Sequence, residues 1–292
     1  MADSPSLPRL TAASAPLTRE VSVLDEHGER RTISIPAERP LTVYVDRREL
    51  VTLMTLGAAP ELLVLGYLRN QRLVASAADI DSVTVDWAVN AAAVKTRAGI
   101  EDFERKTAKR VVTTGCGQGT VFGALMDELD DIALPPPAVG RLGQHALYAL
   151  LDAMRQQEST YKSAGSVHGC ALFALDGDAA QLLTFVEDVG RHNAIDTIAG
   201  WMWLNAAAVP DRLAFYTTGR LTSEMVIKSA QMGVPIVVSR SGITQMGLEL
   251  AERLGIALFG RATNKHFICY SGFERFDAEP ALAGPRLTAP AR

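Results

Sequence analysis

One cysteine of this sequence stands in a setting that suits nucleophilic chemistry. Cys116 lies within residues 113–120, where three glycines fall within five positions. Glycine leaves the backbone free and puts no side chain over a neighbouring thiol. Lys106, Lys109 and Arg110 precede the loop, and nearby cations favour the thiolate, which is the nucleophilic form. The alternative is a small residue packed in a tight turn, as many isolated cysteines are, and spacing alone leaves both interpretations open.

The two other cysteines favour a different interpretation. Cys170 and Cys269 each stand in an apolar run, which predicts small core residues. An odd and sparse set of cysteines does not make a disulfide framework, and no two are spaced as a metal-binding pair. The sequence therefore predicts free thiols in a reducing compartment and no permanently bound metal.

A second pattern recurs in the later half of the chain. At four places where a predicted strand ends, an arginine stands beside glycine or hydroxyl residues. The four sets are Gly190, Arg191, His192 and Asn193; Gly219, Arg220, Leu221, Thr222 and Ser223; Ser239, Arg240, Ser241, Gly242, Ile243 and Thr244; and Gly260, Arg261, Ala262, Thr263 and Asn264. Ligands of open α/β sheets bind beyond the carboxyl ends of strands, and helix N-termini and arginine both suit phosphate. The pattern predicts a polyanion site wide enough for a nucleotide-containing cofactor, although each loop alone also fits ordinary helix capping.

Two histidines could contribute to the same site. His192 lies in a dense set of polar groups at a predicted helix start, where it could bind ligand or act as an acid or base. A hydrogen bond from the His192 imidazole to Glu187 or Asp188 that only holds the turn explains His192 equally well. His168 precedes a predicted buried strand, and the sequence does not separate a cleft residue from a satisfied core histidine.

The elements that must position these residues follow from hydrophobic periodicity. The first half is mostly strand, with one short helix that starts at Pro60, and the second half alternates strands with helices, which is typical of a layered α/β domain. Predicted strands cover residues 18–24, 31–35, 42–45, 50–54, 83–89, 167–175, 182–187, 213–217, 235–239 and 256–259. Predicted helices cover residues 60–68, about 147–154, 193–202, 222–232 and 244–254.

This order of predicted strands and helices indicates two domains. The proline run at residues 134–137 breaks any regular element and marks the boundary. We expect a strand-rich domain at 17–137, which carries the Cys116 loop, and an α/β domain at 138–276. Residues 1–16 and 277–292, rich in alanine and proline, are expected to be disordered tails.

Composition excludes several classes of protein. The net charge of −4 does not fit a basic nucleic-acid binder or a polybasic membrane anchor. The apolar stretch at 198–209 is too short to span a bilayer, and the first residues lack the apolar core of a secretory signal. The expectation is a cytoplasmic protein that binds neither nucleic acid nor membrane.

Several long motifs, in order and spacing, carry a resemblance to a known family. The GCG loop, EDVGRHNAID, TGRLTSEMVIK and SRSGIT resemble the FdhD family of formate dehydrogenase accessory proteins over about residues 16–276. The resemblance implies a mixed α/β fold, α+β overall, whose C-terminal domain is similar to the cytidine deaminase fold. The chain lacks the H-x-E and P-C-x-x-C signature of the zinc deaminases.

The resemblance also implies a function. The family looks like a sulfur carrier, or sulfurtransferase, between a cysteine desulfurase and the molybdenum cofactor of formate dehydrogenase, in its bis(molybdopterin guanine dinucleotide) form. Cys116 matches the family's persulfide-forming cysteine. The family's cofactor-binding stretch matches Phe259, Gly260, Arg261, Ala262, Thr263 and Asn264, and members are similar to homodimers.

The sequence departs from the family pattern at three places. Gly119 stands where the family often has a second loop cysteine, Thr197 replaces a lysine, and residues 165–166 replace a double glycine before His168. A disulfide within the loop is therefore excluded, but a single persulfide carrier needs only one thiol. Two other functions stay open: a cofactor-binding chaperone without sulfur chemistry, and a nucleotide hydrolase or deaminase that works through His192 with Glu187 or Asp188.

Overall fold

The computed structural model describes residues 7–100, 103, 129 and 132–283. They form a mixed α/β protein with two main sheets, which confirms the predicted fold class. No helix in these ranges is long and apolar enough to cross a membrane.

The first sheet has five strands in the order β1-β6-β7-β4-β5. The strands are β1 (Arg9–Leu10), β4 (Arg39–Val45), β5 (Arg48–Thr55), β6 (Ile80–Asp86) and β7 (Ala91–Thr96), and helix α1 (Pro60–Asn70) covers one face. Alternate strand residues such as Leu41, Val43 and Val83 pack with Leu65 and Leu68 of α1 in one apolar core. Pro60 begins α1 at a position where the missing N–H costs nothing.

A separate hairpin precedes this sheet. Strands β2 (Thr18–Leu24) and β3 (Arg30–Pro36) pair antiparallel in a two-stranded sheet. Gly28 adopts a positive φ of 77° in the connecting turn, as glycine does most readily. This is the hairpin expected from the sequence.

The second sheet has six strands in the order β10-β9-β11-β12-β13-β14. They are β9 (His168–Asp176), β10 (Ala179–Asp188), β11 (Leu213–Thr217), β12 (Ile236–Ser239), β13 (Ala257–Thr263) and β14 (His266–Ser271). The remaining elements are β8 (Leu142–Gly143), which pairs with β15 (Phe276–Asp277), and the helices α2 (Gln144–Gln156), α3 (Thr160–Ala164), α4 (Arg191–Leu204), α5 (Ser223–Gln231) and α6 (Gln245–Leu254).

Helices cover both faces of the second sheet. Helix α2 packs with alternate strand residues such as Phe173 and Val238 on one face. Helices α4, α5 and α6 pack with the intervening residues, such as Leu172 and Val237, on the other. The result is a three-layer α/β/α arrangement, because side chains of a strand point alternately to opposite faces. Helix α4 also packs across α1 and so joins the two sheets.

Besides the two-residue strands β1, β8 and β15, two strands were not predicted, and one strand ends earlier than expected. The alanine-rich β7 lacks an alternating pattern, but it pairs on both sides, with β6 and β4. Strand β14, which contains the apolar run around Cys269, pairs with β13 as the last strand of its sheet. Strand β6 ends at Asp86 rather than at residue 89, because the Asp86 carboxylate accepts the Ala88 N–H at 2.8 Å and Asn90 turns the chain with φ of 52°.

The expectation of disordered tails is wrong for residues 7–16 and 277–283. Strand β1 pairs with β6, and buried Glu61 accepts hydrogen bonds from the Thr11 hydroxyl at 2.6 Å and the Ala13 N–H at 2.7 Å. At the other end, the Glu279 N–H donates to the Gln144 side chain at 2.8 Å. Both segments are held by side chains far away in sequence, which composition does not reveal. The domain boundary at residues 134–137 remains a prediction.

Candidate functional site

The four arginine-bearing loops meet at one edge of the second sheet. Strands β11, β12 and β13 are parallel, and β9 runs antiparallel to both β10 and β11. The C-terminal ends of β10, β11, β12 and β13 therefore lie at the same edge, together with the start of β9. The convergence expected from the sequence is present, and we call this edge the cleft edge.

Direct hydrogen bonds connect these loops. The Arg240 N–H donates to the Thr217 carbonyl at 3.0 Å, and the Arg261 N–H donates to the Ser241 carbonyl at 2.7 Å. The buried Ser239 hydroxyl donates to the Gly219 carbonyl at 2.6 Å. These bonds fix the loop backbones, so that the guanidinium groups extend from a rigid edge.

The end of β13 has an unusual backbone. Arg261 and Asn264 both adopt φ of 51°, in the left-handed region that non-glycine residues rarely occupy. The register of β13 and β14 shifts in the same stretch. A Cβ on Gly260 would lie 2.8 Å from the Tyr270 ring and 3.1 Å from the Ser241 carbonyl oxygen, so this position requires glycine. Strained backbone of this kind is concentrated at binding sites.

A cavity of about 260 Å³ opens at the cleft edge, on the face covered by α2. Four of the predicted residues line it: Arg240, Ala262, Thr263 and Asn264. The opposite wall comes from α2, α3 and the neighbouring strands and includes Arg155, Tyr161, Lys162, Phe185, Glu187, Tyr216 and Thr218. Glu187 and Thr218 stand at the start of two of the motifs. Sequence reasoning missed the rest of this wall, because its other residues lie outside the motifs and lack a distinctive local pattern.

The chemistry of the cavity combines positive charge with flat apolar surface. Arg155, Lys162 and Arg240 supply cations, and arginine forks match phosphate oxygens. Phe185 and Tyr216 supply ring surface, and burial raises the pKa of Tyr216 to about 12, so its hydroxyl stays a donor. Such a mixture suits a ligand with an anionic portion and a planar portion.

Glu187 lines the same cavity, but hydrogen bonds already hold its carboxylate. One carboxylate oxygen accepts the Thr160 N–H at 2.5 Å, and the other accepts the Tyr161 N–H at 3.1 Å. These two N–H groups begin helix α3. Glu187 therefore holds α3 against the cavity, and this arrangement disfavours a role as the base of a hydrolase or deaminase.

The predicted set at residues 190–193 divides between the cleft edge and the interior. Arg191 lies across the Gly219 backbone, where a Cβ on the glycine would come 2.7 Å from the arginine Cδ. Arg191, His192 and Asn193 are all buried. The Asn193 side-chain amide donates to the Met54 carbonyl at 2.6 Å, and His192 Nε2 lies 3.4 Å from Glu224 Oε2. His192 and Asn193 therefore pack elements together.

Both histidines are held in the neutral form. Burial, with the cations Lys228 and Arg191 close by, lowers the pKa of His192 to about 2. The proximity of Glu224 would favour the charged imidazolium, but burial and the cations outweigh it. Burial also lowers the pKa of the half-buried His168, and Arg191 and Arg220 add to this shift. His168 thus lies among cleft-edge cations, whereas a proton-transfer role for His192 loses support.

Phe259, the first residue of the predicted cofactor stretch, packs in the core next to the site. Phe259 is buried, and its ring lies 5.0 Å from that of Phe276 and 5.9 Å from that of Phe267, centroid to centroid. Its side chain faces the core under α2. The exposed members of the predicted set are Arg220, Arg240, Arg261, Thr263 and Asn264. Whether these residues bind a cofactor remains a prediction.

Cys116 lies outside the described residues, and its role stays a prediction. The nearest described positions on either side are Phe103 and Leu129. Phe103 packs against the core of the first sheet, with the Arg48 guanidinium 5.6 Å from its ring centroid. Leu129 is buried in the core of the second sheet, among α4 and α5. The described residues on either side of Cys116 in the sequence therefore pack against different cores.

The other cysteines have the surroundings of packing residues. Cys170 is fully buried, its Sγ lies 3.3 Å from the Thr217 hydroxyl oxygen, and burial raises its pKa to about 12. Cys269 is partly buried, and burial raises its pKa to about 11. Neither thiol ionises readily, so the prediction of unreactive packing cysteines is confirmed for Cys170 and holds in part for Cys269.

The sequence of the chain matches one protein family over most of its length. Residues 36–277 match the family model of the FdhD/NarQ family. The chain is 31% identical over 243 residues to the sulfur carrier protein FdhD of Listeria innocua, an alignment that covers 83% of this chain and 91% of that protein. It is 32% identical over 240 residues to the protein of the same name from Bacillus subtilis, covering 82% and 88%.

A crystal structure agrees with these sequence relatives. A protein of Desulfotalea psychrophila, described as a formate dehydrogenase accessory protein, superposes with a TM-score of 0.71 at 26% identity. The match covers 89% of this chain and all of that one. From the two-sheet fold, the motifs at the cleft edge and these matches, we conclude that the chain belongs to the FdhD/NarQ family.

Proposed function

We propose that this protein is a sulfur carrier that serves formate dehydrogenase. It takes sulfur from a cysteine desulfurase as a persulfide on Cys116. It then passes the sulfur to the molybdenum cofactor, in the bis(molybdopterin guanine dinucleotide) form, before that cofactor enters formate dehydrogenase. The names of its relatives support the carrier role and the client. The observation that carries the cofactor part is the convergence of exposed Arg220, Arg240 and Arg261 beside a cavity with aromatic walls.

Loading of the carrier is a thiol-exchange step. The Cys116 thiolate attacks the outer sulfur of the desulfurase persulfide, which forms a new S–S bond and breaks the old one. The desulfurase cysteine leaves as a thiolate, so no external oxidant or reductant is needed. In the transfer step the S–S bond of the Cys116 persulfide would break and its electron pair would stay on Cys116, which returns to the thiolate. The cofactor, as the acceptor, would supply the two electrons that bring the carried sulfur to the sulfide level.

The cleft edge would hold the cofactor while this occurs. Its cavity has a volume of about 260 Å³, just below the range of about 300–1,000 Å³ that is usual for ligand sites. We expect one nucleotide portion to enter it, with its planar base against Phe185 and Tyr216. The phosphates would then lie over the arginines. Holding the acceptor in place supplies rate through proximity rather than through acid–base groups.

The experiment that tests the proposal is intact-protein mass spectrometry after incubation with a cysteine desulfurase and cysteine. The wild type should gain one sulfur atom, and Cys116→Ala should gain none and fail to restore formate dehydrogenase activity in cells. Cys170→Ala is the matched control, because its thiol is buried, and it should load like the wild type. Full maturation of formate dehydrogenase by Cys116→Ala would overturn the proposal.

One observation favours a second candidate function. Gly119 replaces the second cysteine of the family's loop, which leaves one thiol there and removes any two-thiol relay. A chaperone that binds the cofactor without carrying sulfur would need only the cleft edge. It would retain both nucleotide binding and client maturation in Cys116→Ala.

The sulfur-carrier proposal also includes a cytoplasmic homodimer, and sedimentation of the purified protein tests the dimer.

A further inference from the structure

One buried carboxylate connects the cleft edge to the first sheet. Asp188 ends β10, and the residue is buried. It accepts hydrogen bonds from four donors: the Thr55 hydroxyl at 2.5 Å, the Leu56 N–H at 3.1 Å, the Gly190 N–H at 3.1 Å and the Asn193 side-chain amide at 2.8 Å. Burial raises its pKa, and these hydrogen bonds oppose the shift.

The four donors belong to two different parts of the protein. Thr55 and Leu56 lie at the end of β5, in the sheet whose core also contains Phe103 before the thiol-bearing segment. Gly190 and Asn193 begin helix α4. The Asn193 amide also donates to Met54, the residue before Thr55 in β5. One carboxylate and one amide thus fix the start of α4 to the end of β5.

The start of α4 depends on Asp188 for its geometry. The N-cap residue of α4 is Gly190, which has no side chain to cap the helix. Its N–H and that of Leu56 are bound by the Asp188 carboxylate instead. Without that acceptor both groups would be left unsatisfied in a buried place, which is costly. Asp188 therefore determines where residues 190–193 lie.

The position of this turn matters for the cleft edge. Arg191 follows Gly190 and lies against Gly219, close enough that a Cβ there would come 2.7 Å from its Cδ. Arg191 also acts electrostatically on His168. A shift of the turn would thus move a guanidinium relative to the loops that carry the other cleft-edge arginines.

We propose that Asp188 is a positioning residue for cofactor capture, which holds Arg191 at the cleft edge by tying residues 190–193 to Thr55 and Leu56 of β5. The proposal rests on the function proposed above. It adds that one hydrogen-bonded carboxylate links the first sheet, against which Phe103 packs, to the cofactor cleft. Asp188 itself does not touch the ligand.

The test is calorimetric titration with guanosine diphosphate, the nucleotide portion of the proposed cofactor. Affinity and stoichiometry are measured separately, so a partly unfolded sample lowers the stoichiometry but not the affinity. Asp188→Asn should weaken binding about tenfold, as expected when a charged acceptor of buried donors is lost. Thr55→Val, far from the cavity, should weaken it at least about threefold, and Thr55→Ser, which keeps the hydroxyl, should restore it.

Asp196→Asn is the matched control. Asp196 is an equally buried acid of α4 that also bridges to the first part of the chain, through the Asn70 amide at 2.7 Å. It lies further along α4, so its variant should bind within about twofold of the wild type. All folded variants should load sulfur on Cys116 normally.

The outcomes separate this inference from the proposed function. Unchanged nucleotide affinity in Asp188→Asn and Thr55→Val would overturn it, as would an equal loss in Asp196→Asn. If Asp188→Asn does not fold, the nucleotide affinities of Thr55→Val and Thr55→Ser test the inference instead. Failure of the wild type to bind the nucleotide would refute the cofactor part of the proposed function and this inference with it, whereas failure of Cys116 to load sulfur would leave the positioning role intact.

Discussion

Gly66 of α1 and Gly200 of α4 face each other where the two helices cross. A Cβ on Gly66 would lie 1.6 Å from the Asp196 carbonyl oxygen, and one on Gly200 would lie 2.0 Å from the Leu62 carbonyl oxygen. The two backbones therefore touch, and no side chain fits between them. This crossing brings the core of the first sheet against the layer that carries the start of α4.

The crossing predicts a large cost for any added side chain. Gly66→Ala and Gly200→Ala should each lower the free energy of unfolding by about 3 kcal/mol or more, because backbone atoms cannot move aside as flexible side chains can. Urea denaturation measures this. Gly143→Ala is the control, because the nearest atom to its Cβ would be 3.8 Å away, and it should cost less than about 1 kcal/mol. Equal stability of all three variants would contradict the helix contact.

A buried ion cluster predicts strong dependence on one lysine. Lys228 Nζ lies 2.9 Å from Asp196 Oδ2 and 3.5 Å from Glu224 Oε1, and all three side chains are buried. Burial alone would lower the pKa of Lys228, but the two carboxylates outweigh it and raise that pKa. Lys228→Met should cost about 3–5 kcal/mol in free energy of unfolding, because it leaves two buried acids without their cation.

A surface lysine supplies the control for this measurement. Lys95 Nζ lies 3.4 Å from Asp81 Oδ2, but the lysine side chain is 72% exposed. Lys95→Met should therefore change the free energy of unfolding by at most about 1 kcal/mol. Chemical denaturation of both variants at one pH makes the comparison. Similar losses in the two would show that the Lys228 cluster is not energetically special.

The neutral state of His192 predicts acid sensitivity. Its pKa in the folded protein is about 2, below the value of about 6.5 expected for an unfolded chain. Above about pH 6.5 the imidazole is neutral in both the folded and the unfolded protein, so its titration does not change the free energy of unfolding. As the pH falls below it, only the unfolded chain takes up the proton, so the free energy of unfolding drops by up to about 1.4 kcal/mol per pH unit.

Replacing His192 isolates this contribution. His192→Gln should lose less stability than the wild type between about pH 7.5 and about pH 5.5, as measured by urea unfolding at each pH. His27→Gln serves as the control, since the His27 side chain is 76% exposed, and it should follow the wild type. If His192→Gln showed the same pH dependence as the wild type, other groups would be responsible for the loss of stability in acid.

The cleft edge predicts a charge-dependent affinity. Arg240→Gln should weaken guanosine diphosphate binding about tenfold, because it removes a charge-assisted hydrogen bond, and the loss should shrink at high salt. Titration at two salt concentrations measures both effects. Arg253→Gln is the control, because α6 ends at the opposite edge of the sheet, before β13 begins. Equal affinities of the two variants would exclude Arg240 from the site.

Most elements of this fold are readable from periodicity. Strand β11 coincides with its predicted range, residues 213–217, because a run of apolar residues bounded by loop residues suits a buried strand. Strand β7 was missed, since alanine has little strand preference of its own, and its pairing with β6 and β4 is what makes it a strand. Pairing of this kind involves residues distant in sequence.

The candidate site was also predicted only in part: the arginine-bearing loops were expected, and the opposite wall of the cavity was not. The loops with Arg220, Arg240 and Arg261 follow parallel strands, and parallel strands bring their carboxyl ends to one edge whatever the details of packing. The wall with Lys162 and Phe185 comes from other elements and carries no motif. Its place at the cavity depends on where α2 and α3 pack on the sheet.

The sequence by itself determined the family, the order of the elements and the arginine-bearing loops, because these depend on local pattern and on motif order. Only the tertiary structure decided that His192 and Asn193 are buried packing residues, that Asp188 bridges β5 and α4, and that residues 7–16 lie along the first sheet. Burial and hydrogen-bond partners depend on which distant segments meet, and that information is not contained in any local stretch of the chain.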